Sequence, residues 1–138
     1  MLIRSFREGD TDAVIALWER CGLTRPWNDP RQDIARKLLV QRELFLVAVD
    51  DDALLGTVMA GYEGHRGWIN YLGVDPGRRG AGIGRALMAE AERLLAERGC
   101  PKISLLVREG NGEAVAFYAA LGYATDAAIP LGKRLVED

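Results

Sequence analysis

Val74-Asp75-Pro76-Gly77-Arg78-Arg79-Gly80-Ala81-Gly82-Ile83-Gly84-Arg85-Ala86-Leu87 is the stretch that decides how this chain is read. Before it, the apolar and aromatic Trp68-Ile69-Asn70-Tyr71-Leu72-Gly73-Val74 predicts a strand. Within it opens a helical pattern that lasts to about Arg98. A strand, a glycine-rich turn and a helix start together make an anion site. The first amides of a helix have no partner inside the helix, and the helix dipole places partial positive charge there. Glycines let the backbone close on a phosphate without a Cβ in the way. Arg78, Arg79 and Arg85 add fixed positive charge beside it.

Two phosphate loops can be tested against this run. The P-loop requires Lys and then Ser or Thr after its last glycine; here Gly77 and Gly82 have the spacing, but Ile83 and Gly84 follow. The dinucleotide fingerprint requires G-x-G-x-x-G at the first strand of a βαβ unit; here Arg85 stands in place of the third glycine and the run lies mid-chain. Both fail on residues. A tight turn with solvated arginines is the remaining plain alternative, and it leaves four glycines and three arginines so close together without a reason.

Working outward, the spacing predicts a strand over Leu2 to Phe6 and a helix from an Asp10 cap to about Cys21, stopped by Gly22. Asp29-Pro30 starts a second helix to about Arg42. Leu44 to Val49 and Leu54 to Tyr62 read as strands joined by Asp50-Asp51-Asp52. After the long helix, Ile103 to Val107 reads as a strand, Asn111 caps a helix to Leu121, and Tyr123 to Ala128 and Leu131 to Val136 read as the last two strands. The order β-α-α-β-β-β-α-β-α-β-β predicts an α+β domain on a mixed central sheet flanked by helices, one domain over residues 1–138.

Composition narrows the function. Apolar residues make up 49% and charged residues 28%, ordinary for a soluble globular protein. A net charge of −2 argues against a nucleic-acid surface, while a local basic patch can still serve a phosphate ligand. The start Met1-Leu2-Ile3-Arg4 lacks a signal-peptide core, and no apolar run approaches the ~20 residues of a membrane helix. Cys21 and Cys100 have no metal-type spacing and read as reduced, partly buried thiols of a cytoplasmic protein.

The glycine-rich run resembles the coenzyme A pyrophosphate motif of the GNAT superfamily of N-acetyltransferases, Gln/Arg-x-x-Gly-x-Gly/Ala, with Arg79, Gly82 and Gly84 at its fixed positions. A second block, Asn111 to Tyr123, resembles the family's later Asn-x-x-Ala-x-x-Phe-Tyr-x-x-Leu-Gly-Phe/Tyr segment at Asn111, Ala114, Phe117, Tyr118, Leu121, Gly122 and Tyr123. The ending Pro130 to Leu135 and the turn Gly64 to Trp68 look like the small bacterial YpeA-type members. The resemblance implies the acyl-CoA N-acyltransferase fold, acetyl-CoA as cosubstrate without a metal, and transfer to a primary amine of a small molecule or peptide N-terminus by direct attack on the thioester. No nucleic acid or membrane is implied as partner, and the protein is expected to be a monomer or homodimer. It further implies that Arg79, Gly80, Ala81, Gly82, Ile83, Gly84 and Arg85 cradle the pyrophosphate. Main-chain groups of Leu72, Gly73 and Val74 would bond the pantetheine arm, with Asn111 and Tyr118 also meeting the coenzyme.

Acetyl transfer requires a neutral amine, a stabilised oxyanion and a proton for the leaving thiolate. Gly73 reads as a bulge exposing an amide to the thioester oxygen, or as a site of close packing. Tyr118, protonated at neutral pH, reads as the general acid that the resemblance implies, or as a helix tyrosine whose ring packs. Asn111 can cap its helix as well as meet coenzyme, and Phe117 reads as core. The glutamate that family members acting on ribosomal protein N-termini carry on the fifth strand is Leu106 here. Glu63, at the end of a strand that can reach the acceptor cleft, is the selected base, with His65, Tyr71 and Glu109 as alternatives. An acceptor that loses its proton to water favours an α-amine, pKa ~7.7–8.0, over a lysine near ~10.4. Arg25, Trp27 and Asn28 are candidates for the acceptor pocket. A non-catalytic acyl-CoA-binding sensor or interaction module is the alternative that the missing glutamate supports and Tyr118 opposes.

Overall fold

The computed structural model describes residues 1–138. Strand β1 (Leu2–Ser5) leads into helices α1 (Thr11–Arg20) and α2 (Pro30–Lys37). Then follow β2 (Phe45–Asp50), β3 (Ala53–Tyr62), β4 (Gly67–Val74), α3 (Ile83–Glu97), β5 (Ile103–Leu105) and α4 (Gly112–Ala120). The strands form one sheet in the order β1-β2-β3-β4-β5, antiparallel except for the parallel β4–β5 pair. This is the mixed, helix-flanked α+β sheet that the sequence predicts.

Alternation along β2 builds a core on each face. Leu46 and Ala48 point into one layer with Leu87, Met88, Ala91 and Leu95 of α3. Phe45 and Val47 point into the other with Val14 and Trp18 of α1 and Ile34 of α2. An aromatic stack crosses that second layer: Phe6 on Phe45 at 4.5 Å, Phe45 by Trp18 at 6.1 Å, and Trp18 on Tyr71 at 3.8 Å between centroids. Cys21 and Cys100 are free and half-buried, and no helix is long and apolar enough to cross a membrane.

Three expectations are corrected. The last two strands, Tyr123 to Ala128 and Leu131 to Val136, do not form. A strand is only as long as the ladder its partner offers, and β5 offers three residues. Pro130 has no N–H to give a ladder, and Leu131 and Leu135 stay 94% and 87% exposed. The segment is tied by side chains instead: Asp126 to Lys102, Arg134 to Asn28, and Asp138 to Arg36. Helix α2 stops at Lys37 rather than Arg42. Gln41, at φ 52, clamps the backbone of Tyr62 by donating to its carbonyl and accepting from its amide, which turns the chain into β2. Asp10 does not cap α1 with its side chain; both its oxygens accept from Arg4, and one also from the amide of Arg7.

Candidate active site

The site begins with a defect in the sheet. The β3–β4 ladder pairs Gly56 with Val74 and Thr57 with Gly73, then resumes with Met59 opposite Asn70, so Val58 faces both Tyr71 and Leu72. Such a bulge leaves one residue of the longer strand outside the ladder. Tyr71 absorbs it at φ 51, a left-handed conformation rare for a bulky residue. Three contacts hold it there, and a fourth braces Thr57. The Thr57 hydroxyl donates to the Tyr71 carbonyl at 2.8 Å and accepts from the Trp18 indole N–H at 2.9 Å. The Tyr71 ring lies on the Trp18 ring, and its hydroxyl donates to Oδ2 of Asp33 at 2.5 Å. Burial, then that carboxylate, pushes the Tyr71 phenol far above its ordinary range, so it is a proton holder rather than a base.

Gly73 is therefore not the bulge. It is paired with Thr57, and a Cβ on it would stand 3.0 Å from Leu23 Cδ1 and 3.4 Å from Cys21 Sγ. Its smallness lets the chain leaving α1 press against β4.

Below the bulge the sheet opens. Strand β5 pairs with β4 only from Gly67 to Ile69. Beyond Ile69 the two chains part, and Asn70, Tyr71 and Leu72 face Leu106, Val107 and Arg108 across a cleft of about 750 Å³. Arg25 and Asn28 from the loop after α1, Asp33, Arg36 and Lys37 of α2, and Asn111 and Tyr118 complete its walls. Trp27 sits outside the lining, beneath the guanidinium of Arg108 at 5.8 Å.

The glycine-rich turn divides its labour. Gly80 and Gly82 have φ near +85° and +82°, and a Cβ on either would meet nothing within 4 Å. Their lack of a side chain serves backbone shape. Gly82 is the residue before α3, and the first α3 bond from Ala86 returns to the Gly82 carbonyl at 3.0 Å. The amides of Ile83, Gly84 and Arg85 thus lack intrahelical partners. Gly84 is different: it is buried, and a Cβ there would lie 3.2 Å from Phe117 Cζ. The glycine of the first motif seats the phenylalanine of the second. Arg78, Arg79 and Arg85 are exposed and form no ion pair. Left-handed glycines, free amides and unpartnered guanidiniums fit a diphosphate.

Asn111 caps α4 by accepting from the amide of Ala114 at 3.1 Å. Tyr118, one helical turn or more further on, lines the cleft, its ring edge-on to Phe117 and Tyr123, and burial pushes its phenol up to about 12. Glu63 is elsewhere. Its carboxylate accepts from the amides of His65 and Arg66 and from the Trp68 indole at 2.8 Å, which hold it below the usual carboxylate range. It closes the β3–β4 turn and does not line the cleft, and neither do His65 or Glu109. The carboxylate that does line it, Asp33, has no motif around it. The only sequence signal for it is its place in the first turn of α2.

Comparison with known proteins agrees with this fold. The profile of the acetyltransferase (GNAT) family matches residues 8–123. An acetyltransferase of Pectobacterium atrosepticum is 55% identical over all of this chain and 98% of its own length. Among solved structures, Ard1 of Thermoplasma volcanium superposes with a TM-score of 0.80 at 26% identity, over 91% of this chain and 84% of that one. A ribosomal-protein-alanine N-acetyltransferase of Brucella melitensis gives 0.72 at 26% identity, over 88% and 83%. By sequence along its length and by fold, the chain belongs to the GNAT family of acetyl-CoA-dependent acetyltransferases.

Proposed function

We propose that the chain moves an acetyl group to the α-amine of a small molecule or a peptide N-terminus, by direct attack of the amine on the thioester. The observation that carries this reading is that bulged β4 and Tyr118 line one cleft. When bound, acetyl-CoA supplies an acetyl group activated as a thioester.

The chain's own residues do the rest. Arg79, Gly80, Ala81, Gly82, Ile83, Gly84 and Arg85 would hold the diphosphate through amides and guanidiniums. The main chain of Leu72, Gly73 and Val74, beside the bulge, would bond the pantetheine arm, with Asn111 at the cleft's edge. Tyr118 keeps a proton on its hydroxyl, where a departing thiolate can take it. With no free carboxylate at Leu106, the amine proton leaves to water, which suits an α-amine. The likeness to a ribosomal-protein-alanine N-acetyltransferase supports the same acceptor class. A cytoplasmic monomer or homodimer is part of the same proposal.

The test is thiol release from acetyl-CoA with a panel of α-amines and lysine ε-amines. Turnover on α-amines that falls in Tyr118→Phe supports the reading. Faster turnover on ε-amines overturns it.

A further inference from the structure

The cleft is lined by charged residues of both signs. Asp33 is the one carboxylate among its lining residues. Its Oδ2 accepts from Tyr71, which the Trp18 stack and Thr57 hold in place. Its Oδ1 has only a 3.4 Å contact from Arg36, because Arg36 turns to Asp138 at 2.6 Å. A positioned carboxylate therefore keeps acceptor capacity on the cleft wall.

Four cationic residues share that wall, and two are satisfied. Arg36 is paired closely with Asp138 at 2.6 Å and loosely with Asp33 at 3.4 Å. Lys37 is buried and donates to the Ala60 carbonyl at 2.5 Å, and burial lowers its amine. Arg25 and Arg108 have no carboxylate partner. Arg25 donates one Nη to the carbonyls of Gly22 and Thr24, and Arg108 lies over Trp27, in the same loop as Arg25. The cleft thus pairs one available carboxylate with two available guanidiniums. A bare ammonium would add its charge to a cationic pocket. An amine with its own acid group would complement both signs.

Resting on the acetyl-transfer reading above, we propose that the acceptor is a small amine bearing its own acid group. Asp33 receives the ammonium, which attacks only after it has lost a proton to water, and Arg25 and Arg108 receive the acid. Asp33 and the two arginines are binding residues, and Tyr71 is a positioning residue that orients Asp33.

The test compares amino acids, aminoalkyl phosphates and the matching uncharged amides as acceptors for the full-length protein. Thiol release gives kcat and KM, and calorimetry gives acceptor affinity in the presence of CoA. One acid-bearing series should exceed its amides at least about tenfold in kcat/KM, the scale of one charge-assisted hydrogen bond; which series does so separates carboxylate from phosphate. Asp33→Asn should raise KM and weaken acceptor binding about tenfold with kcat and CoA affinity kept. Arg25→Gln and Arg108→Gln should erase the preference for the acid, and Tyr71→Phe should raise KM less than Asp33→Asn. Amides or neutral peptide N-termini that serve equally well overturn the proposal while leaving acetyl transfer intact, as does an Asp33→Asn protein with unchanged acceptor affinity. If Asp33→Asn loses its folded spectrum, the arginine variants still decide. Failure of the wild-type protein to release thiol with every amine removes the acetyl-transfer reading and this proposal with it.

Discussion

The two halves of the candidate site are built by opposite means. On the α3 side, the turn Gly77 to Gly82 is contiguous, exposed and open, shaped by left-handed glycines and lying outside the cleft's lining; it leads through buried Ile83 and Gly84 to Arg85, and Arg78, Arg79 and Arg85 have no ion-pair partner. On the α2 side, Trp18, Thr57, Tyr71 and Asp33 come from four elements and interlock through stacking and three hydrogen bonds. One half is a short piece of backbone with its own chemistry. The other exists only once α1, α2, β3 and β4 are assembled. Damage to the first should therefore cost ligand affinity with little stability, and damage to the second should cost stability as well.

Gly82→Asp is the sharpest way to break that contrast. It sets a carboxylate against the diphosphate, and like charges in contact cost several kcal/mol, so CoA affinity should fall roughly a thousandfold. The turn stays open, with no atom within 4 Å of the new Cβ, so the melting temperature should move little beyond the strain of φ +82. Calorimetry with CoA and thermal unfolding check the two halves. Wild-type affinity would remove the diphosphate from this turn.

Tyr118→Phe comes next and probes the proposed general acid on the cleft wall. Loss of a positioned general acid lowers kcat about a hundredfold while CoA affinity stays, because the ring still packs. Burial raises the phenol to about 12, above its reference near ~10. The proton is thus held throughout pH 7–10, and kcat should show no decline from its loss until pH approaches 12. Stability has the same sign: the contribution of the neutral buried phenol is complete below ~10 and is lost as pH rises through the folded value. A kcat that falls with a midpoint near pH 8 in the wild type but not in Tyr118→Phe would contradict this.

Thr57→Val tests the interlocked half. Thr57 is fully buried and serves both the Trp18 indole and the Tyr71 carbonyl. Valine keeps the volume and leaves both groups unpaired, at ~1–3 kcal/mol each, so urea unfolding should show a loss of about 2–6 kcal/mol. Unchanged stability would mean that the bulge stands without this bridge.

The same contrast explains what the chain discloses as a sequence. The turn, α3, and the α4 block with its Asn111 cap are local patterns, and their residues can be read in order. The bulge is not local. Gly73 looks like its natural site because glycine tolerates any backbone, yet the bulge falls on Tyr71, where stacking and hydrogen bonds from three other elements outweigh the cost of φ 51. Asp33 is invisible for the same reason, since its meaning comes from Tyr71, 38 residues away. The last two strands fail differently: alternation of apolar residues marks a segment able to pair, and β5 ends before providing the edge.

Glu63→Gln carries the smallest expected effect and separates neighbourhood in sequence from neighbourhood at the site. Glu63 lies at the end of a central strand, which makes it plausible as a base, but its carboxylate is engaged within its own turn by two amides and the Trp68 indole. A glutamine keeps one carbonyl acceptor of the same length, so most of that turn survives. The carboxylate is held below its ordinary range by those donors, the opposite of the shift that prepares a base to work near neutrality. Thiol-release kinetics should therefore give kcat and KM within about twofold of wild type, since removing a general base costs 10²–10⁴-fold and removing a turn contact does not. A hundredfold loss of kcat with KM unchanged would return Glu63 to the chemistry and would require the β3–β4 turn to close over the cleft.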